Sequence, residues 1–165
     1  MASRRIVIAN TTPLINFAEI GSIRLLRDLF GEVVVPEAVV AELLFKADLF
    51  PTAAAVPDEP FIRVRQVVNR PLVANLVREL HPGEAECLAL GLDETSALLL
   101  LDDLAARSIA EYHGLRFTGT LGCLRLAKER GLLPALAPVL NELRVKARFW
   151  LTTELMQRVL RDAGE

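Results

Sequence analysis

Two adjacent carboxylates, Asp102 and Asp103, close the wholly apolar run Leu98-Leu99-Leu100-Leu101. Side by side they disfavour each other's ionisation unless a cation or cationic group compensates. The pair is therefore a candidate for a metal ion or a phosphate. The competing account is structural: one aspartate N-caps the helix that Leu104-Ala105-Ala106-Arg107 begins. Three further oxygen-bearing positions stand out. Asn10 ends an apolar run, Glu42 lies beside the apolar face of a helical pattern, and Glu84, with Glu86 nearby, opens another. An oxygen-only set drawn from separate segments is what a hard cation such as Mg²⁺ or Mn²⁺ takes. Two such ions about 3.5–4 Å apart activate water and stabilise the leaving oxygen in phosphodiester cleavage.

Each member also has a plain structural use. Glu84 and Glu86 suit the first turn of a helix. Glu42 could pair with Lys46 at i,i+4 for about 0.2–0.5 kcal/mol. Asn10 is a common strand-end turn residue. Arg107, one helical turn beyond the aspartates, either neutralises one of them or meets a phosphate. Thr118-Gly119-Thr120-Leu121-Gly122 reads as a strand-to-helix turn whose N–H groups and hydroxyls could hold a phosphate at a helix N-terminus. It does not match the dinucleotide-binding fingerprint. Arg125, Lys128 and Arg130 either extend that patch or form a solvated helix face.

The elements that must position these residues alternate. Arg5–Ala9 reads as a strand, and Thr12-Pro13 starts a helix with Thr12 as cap. Gly21-Ser22 breaks the helical pattern in two. Val33–Val35 is a second buried strand, with a helix from Pro36 through Leu44. Residues 47–60, rich in proline and alanine, form a loop, and Phe61–Val67 alternates like an edge strand. Helices follow at Leu72–Leu80 and Pro82–Leu92, then the Leu98–Leu101 strand, a helix to His113, a strand at Leu115–Phe117 and a helix from Thr120 to Arg130. Helical patterns run from Pro134 onward, broken near Phe149-Trp150-Leu151, with Thr152 as a cap. Strands alternating with helices predict a parallel sheet covered on both faces. In such a sheet Asn10 and Asp102/Asp103 share the carboxyl edge, where these folds bind ligands.

Composition bounds the rest. The 165 residues are enough for one domain with a real core, and 52% are hydrophobic. A mean hydropathy of +0.35 is high for a chain with no apolar stretch able to span a bilayer. That excess points to a partner or to self-association. Asn10 ends the first apolar run too early for a signal peptide, so a cytoplasmic protein without membrane contact is expected. A net charge of −2 lacks the global basic signature of a nucleic-acid binder, so any such partner must be gripped locally. Cys87 and Cys123 stand alone among apolar neighbours and read as buried small hydrophobes. His81 and His113 lack any nucleophile to serve.

Several stretches resemble the PIN-domain superfamily, and within it the branch called DUF3368. They are VIANTTPLINFAEIG (7–21), VVVPEAVVAEL (33–43), LHPGEAECLALGL (80–92), LLLLDDLAARSIAEYHGLRFTGTLGCLRLAKERGLL (98–133) and FWLTTELMQRVLRDAGE (149–165). The resemblance implies a Rossmann-like three-layer α/β/α fold with a mostly parallel sheet, one domain with a core of about 1–133, and a C-terminal helical extension of about 134–165. It also implies a ribonuclease dependent on Mg²⁺ or Mn²⁺ and acting on RNA. Many such proteins are toxins restrained by a small antitoxin, and many form homodimers. Carried over residue by residue, Asn10, Glu42, Glu84 and Asp102 or Asp103 occupy the four metal-binding and catalytic positions, with Thr11, Arg107, Thr118 and Thr120 as substrate contacts. Asn10 departs from the usual aspartate: its amide oxygen can ligate a hard cation but adds no charge. Asp102 and Asp103 are not ranked by sequence; the one turned from the ion is expected to cap the helix. Two other readings stand beside the nuclease. One is a binding module with a degenerate site, favoured by Asn10 and the acidic balance. The other is a phosphoacceptor domain of receiver type, disfavoured because no early acid pair precedes it.

Overall fold

The computed structural model describes residues 5–165. Short runs of valine, isoleucine and leucine form five strands among these residues: β1 (Ile6–Ala9), β2 (Val33–Pro36), β3 (Ile62–Arg65), β4 (Ala97–Leu100) and β5 (Arg116–Thr118). They make one sheet, parallel throughout, in the order β3-β2-β1-β4-β5. Parallel neighbours need crossover connections, and helices supply them. α1 (Thr11–Glu19) and α2 (Ile23–Phe30) join β1 to β2. α3 (Glu37–Phe45) and a 3₁₀ turn at Ala53–Asp58 lead to β3. α4 (Arg70–Leu76) and α5 (Pro82–Leu92) return the chain to β4, and α6 (Leu104–Tyr112) joins β4 to β5. α7 (Thr120–Glu129), α8 (Ala137–Lys146) and α9 (Thr153–Asp162) follow.

The central strands are buried on both faces, which is why their sequences run apolar without alternation. Ile8, Val33, Val35, Leu99 and Leu100 are fully buried, and Phe17, Leu26, Leu43, Leu88 and Leu124 close over them from the helices. Each such side chain contributes about 1.5–3 kcal/mol by leaving water. α5 packs on β1, β2 and β4 with α3, α4 and α6 beside it, while α1 contacts α2, α7 and α8. The three-layer α/β/α fold expected from the alternation is thus observed. β3, at the sheet edge, leaves Arg63, Val64 and Arg65 exposed.

Boundaries moved where local chemistry outweighed pattern. α1 begins at Thr11 with Asn10 in the cap position, two residues ahead of the Thr12 cap expected, and the Thr11 hydroxyl turns inward. α4 is shorter than the Leu72–Leu80 helix expected and is capped by Asn69, whose Oδ1 accepts from Leu72 N–H at 3.2 Å. The residues after it turn so that Pro82 can open α5. Near residue 150 the expected break is present, and Thr152 Oγ1 caps α9 by accepting from Leu155 N–H at 3.1 Å. Leu140, Leu143 and Leu151 of this extension are buried in the common core, with Phe149, Leu155, Met156, Val159 and Leu160 packed against it. Among the described residues no helix is long and apolar enough to cross a membrane.

The topology fixes one crevice. From β1 the chain winds toward β2 and β3; from β4 it winds the other way, to β5. Ligands bind in such sheets outside the carboxyl ends of the strands, where the winding reverses. Ala9 is in register with Leu100, and Asn10 N–H donates to Leu100 O at 3.1 Å. Asn10 and the Asp102-Asp103 pair therefore flank the reversal point.

Candidate active site

Each functional side chain is placed by the end of an element. Asn10, at the mouth of β1, is 3% exposed, and its Oδ1 has no donor among the described residues. An unpartnered buried amide oxygen carries a desolvation cost of about 1–3 kcal/mol, so this atom calls for an explanation. Next to it, the Thr11 hydroxyl donates to Glu42 Oε2. The other oxygen, Glu42 Oε1, accepts from Gly83 N–H at 2.8 Å. A Cβ at Gly83 would stand 2.5 Å from Glu42 Oε2, so a larger residue there would displace this carboxylate. Glu42 is thus turned to Thr11 and α5 rather than to Lys46, and it bridges β1's end to α5's start.

Glu84, one residue on, is buried, and its Oε2 accepts from His81 N–H at 3.0 Å, half of a capping box at the start of α5. Burial raises its carboxyl pKa above the usual value; the His81 N–H opposes this, and the charges of Asp103 and Glu42 push it further up. Those two charges act on Glu84 because the crevice gathers them. Asp103 caps α6, with Oδ2 accepting from Ala106 N–H at 2.9 Å. Among the described residues its other oxygen meets no hydrogen-bond donor, and the same is true of Glu84 Oε1.

Asp102 does something the sequence did not announce: it caps a second helix from a distance. Its Oδ1 accepts from Thr120 N–H at 2.8 Å and its Oδ2 from the Thr120 hydroxyl at 2.6 Å, at the start of α7. Asn16 Nδ2 donates to the same Oδ2 at 3.2 Å and to Thr120 Oγ1 at 3.0 Å. Both Asn16 and Thr120 are buried. The expectation that one aspartate caps while the other faces the crevice holds only in part, since both cap helices. Arg107 Nη2 lies 3.9 Å from Asp102 Oδ1, while Nε donates to Leu101 O at 2.8 Å and the guanidinium covers the Phe117 ring at 5.5 Å. Gly119 makes room for this approach, because a Cβ there would collide with Arg107 and Asp102. Thr118 is half-buried beneath Gly122, whose missing Cβ its hydroxyl occupies. Thr11 and Thr120, considered as substrate contacts, commit their hydroxyls to carboxylates of the crevice.

The remaining candidates serve the frame. Glu86 Oε2 accepts from Ala38 N–H at 2.9 Å and its Oε1 pairs with Arg70 at 2.6 Å, so it caps α3 from α5. Lys128 pairs with Glu165, Arg125 with Glu129, and Arg130 donates to Leu29 O, which leaves the suggested basic patch occupied by partners. Cys87 and Cys123 are free and buried. Burial and then the charges of Glu42, Glu86 and Glu84 push the Cys87 thiol well up; burial and Asp102 take Cys123 to about 12. Asn16 is the residue sequence reasoning missed. Its signal was available: an amide within the apolar run Leu14-Ile15-Asn16-Phe17, where a buried polar side chain implies a partner.

The donors fit a hard cation in kind: they are all oxygens, one of them an amide oxygen without a partner among the described residues, and the charges of Asp103 and Glu42 act on the buried Glu84. Among the described residues, no three acidic, histidine or cysteine side chains stand close enough to hold one ion together. Glu42 and Asp102 instead use both oxygens on internal donors. Compared with known families, residues 6–165 match the family DUF3368, described as a PIN domain. No curated protein and no solved structure matches the chain at a significant level.

Proposed function

Since the chain belongs to this PIN-domain family, whose fold is in general that of nucleases, we propose that it is a divalent-metal-dependent endoribonuclease. The observation that carries this reading is the convergence of Asn10, Glu42, Glu84 and Asp103, from four separate elements, on the crevice where the strand order reverses. Glu84 and Asp103, each with one carboxylate oxygen outside the hydrogen bonds of the described residues, would hold Mg²⁺ or Mn²⁺ with the Asn10 amide oxygen. Glu42 and Asp102, whose oxygens serve internal donors, would join them only on releasing those donors. A hard divalent ion supplies charge stabilisation to a phosphodiester and acidifies water as the nucleophile.

The chain's own residues then have distinct duties. Thr11 and Gly83 orient the Glu42 carboxylate, and charge-assisted hydrogen bonds of this kind are the strong ones. Asn16 and Thr120 hold the Asp102 carboxylate in place by hydrogen bonds. Arg107, with its side chain about one-third exposed (32%), keeps N–H groups for a substrate phosphate beside the carboxylates. The test incubates purified protein with end-labelled structured RNA in Mg²⁺ or Mn²⁺, with EDTA and Glu42→Gln alongside. Cleavage should fall by about 10²-fold or more in Glu42→Gln and vanish in EDTA. Equal cleavage in both controls overturns the reading.

A second reading, a module that binds RNA or a protein without cutting, is favoured by Asn10, which removes a charge from the set. Calorimetric titration with Mn²⁺ separates the two, because a nuclease of this design takes up the ion and the degenerate module does not at millimolar metal.

A further inference from the structure

Away from the carboxylates, a cavity of about 420 Å³ lies between α6 and the turn that follows α4. Its floor is apolar, made by Leu76 and Ile109, and its rim carries Asn75, Arg78, Ser108 and Tyr112. Tyr112 is 86% exposed. It meets His113 in a T-shaped arrangement, with ring centroids 5.2 Å apart, and its exposure leaves a ring face open to solvent. Both walls lead to the crevice. One is α6, whose first residue, the exposed Leu104, follows Asp103 directly; the other runs from Glu79 through Leu80 and His81 into α5 and Glu84.

We propose that this groove seats one nucleotide of single-stranded RNA as the strand runs about two and a half turns along α6 from the carboxylate crevice, with its base on Tyr112 and a backbone phosphate on Arg78. The proposal rests on the nuclease reading and extends it to how the strand is held. Three features favour a nucleotide over another occupant. The volume suits a single small planar group, within the range of ordinary ligand pockets. An open aromatic face takes any base by stacking, while the Asn75 amide and Ser108 hydroxyl both donate and accept along its edge. Arg78 offers the planar fork that phosphate oxygens match, and Glu79 on the same wall keeps the backbone to the Arg78 side. The groove also supplies the local grip that the chain's net charge of −2 requires of an RNA-binding protein.

The experiment measures binding of a fluorescein-labelled single-stranded RNA oligonucleotide by anisotropy, to the full chain in EDTA and to the full chain carrying Glu42→Gln in Mn²⁺. Tyr112 and Arg78 are both on the surface, so their substitution leaves the fold intact. Tyr112→Ala should weaken binding about tenfold with an unchanged salt dependence, and Tyr112→Phe should restore it. Arg78→Ala should flatten the salt slope by about 0.7. Ultraviolet cross-linking of a 4-thiouridine oligonucleotide should map to the peptide holding Tyr112 and His113. Wild-type affinity in both alanine variants, with RNA binding and cleavage otherwise intact, overturns the groove and leaves the nuclease reading standing. No RNA binding and no Glu42-dependent cleavage by the wild type removes both. Protection of Tyr112 by a co-purified protein, with RNA affinity unaffected by Tyr112→Ala, assigns the groove to a protein and likewise overturns the proposal.

Discussion

Glu84 concentrates the electrostatics of the crevice. Its carboxyl is raised above 4.5 first by burial and then by the charges of Asp103 and Glu42. In the window above 4.5 the folded chain therefore binds more protons than the unfolded one, and stability falls as pH rises through that window. Glu84→Gln removes a charge that the fold opposes and keeps the acceptor that His81 N–H needs. Without metal, the variant is expected to be more stable than wild type at pH 7, with the advantage gone at pH 4, as read by urea unfolding at the two pH values. A wild type that outlasts the variant at pH 7 would remove the strained-charge account of this crevice. Asn10 is the counterpart of Glu84. It brings an oxygen without a charge, so it eases the repulsion among the carboxylates and leaves an acceptor without a donor.

At the scale of elements, helix starts do the positioning. α1, α3, α5, α6 and α7 all begin at the carboxyl edge of the sheet, and at the last four of these a carboxylate satisfies an N–H group of the helix start. Glu86 serves α3, Glu84 backs the N-cap N–H of α5, Asp103 serves α6 and Asp102 serves α7. An acid at such a position gains from both the capping bond and the helix dipole. The same residue can therefore be structural and chemical, and Asp103 allows the two roles to be separated. Asparagine caps about as well as aspartate, so Asp103→Asn should retain stability within a few tenths of a kcal/mol while metal-dependent cleavage is lost. Asp103→Ala should lose cleavage and also about 1 kcal/mol of stability. Chemical denaturation beside the RNA assay decides it, and full cleavage by Asp103→Asn would assign Asp103 to capping alone.

At the scale of the molecule, an ion held at the crevice would tie together the ends of β1 and β4, the Glu42 position within α3 and the start of α5. Such an ion would bind the folded chain and not the unfolded one. Mn²⁺ at about 100 times its Kd should then stabilise the protein by about 2.7 kcal/mol, seen as a rise in Tm that Glu42→Gln reduces or abolishes. An unchanged Tm at millimolar Mn²⁺ would count for the binding module. The exposed apolar side chains Phe45, Leu49, Val145 and Trp150 lie on other parts of the surface. They account for some of the high hydropathy that the core does not absorb.

Periodicity determined most of the fold. The Ile-Val-Ile, Val-Val-Val and Leu-rich runs had to be strands buried on two faces, and the helical spacing between them had to cover a parallel sheet. The carboxyl-edge placement of Asn10 and Asp102-Asp103 followed from that alternation, because parallel strands all point one way. Only the tertiary structure decided the strand order, since local pattern carries no information about which strands pair. With it came the reversal between β1 and β4 that makes a crevice. Side-chain partnerships at long separation were equally hidden: Thr11 with Glu42, Glu42 with Gly83, and Asn16 with both Asp102 and Thr120. Residue type marked these positions as polar and out of place, but only packing brings residues 16, 102 and 120 within hydrogen-bonding distance.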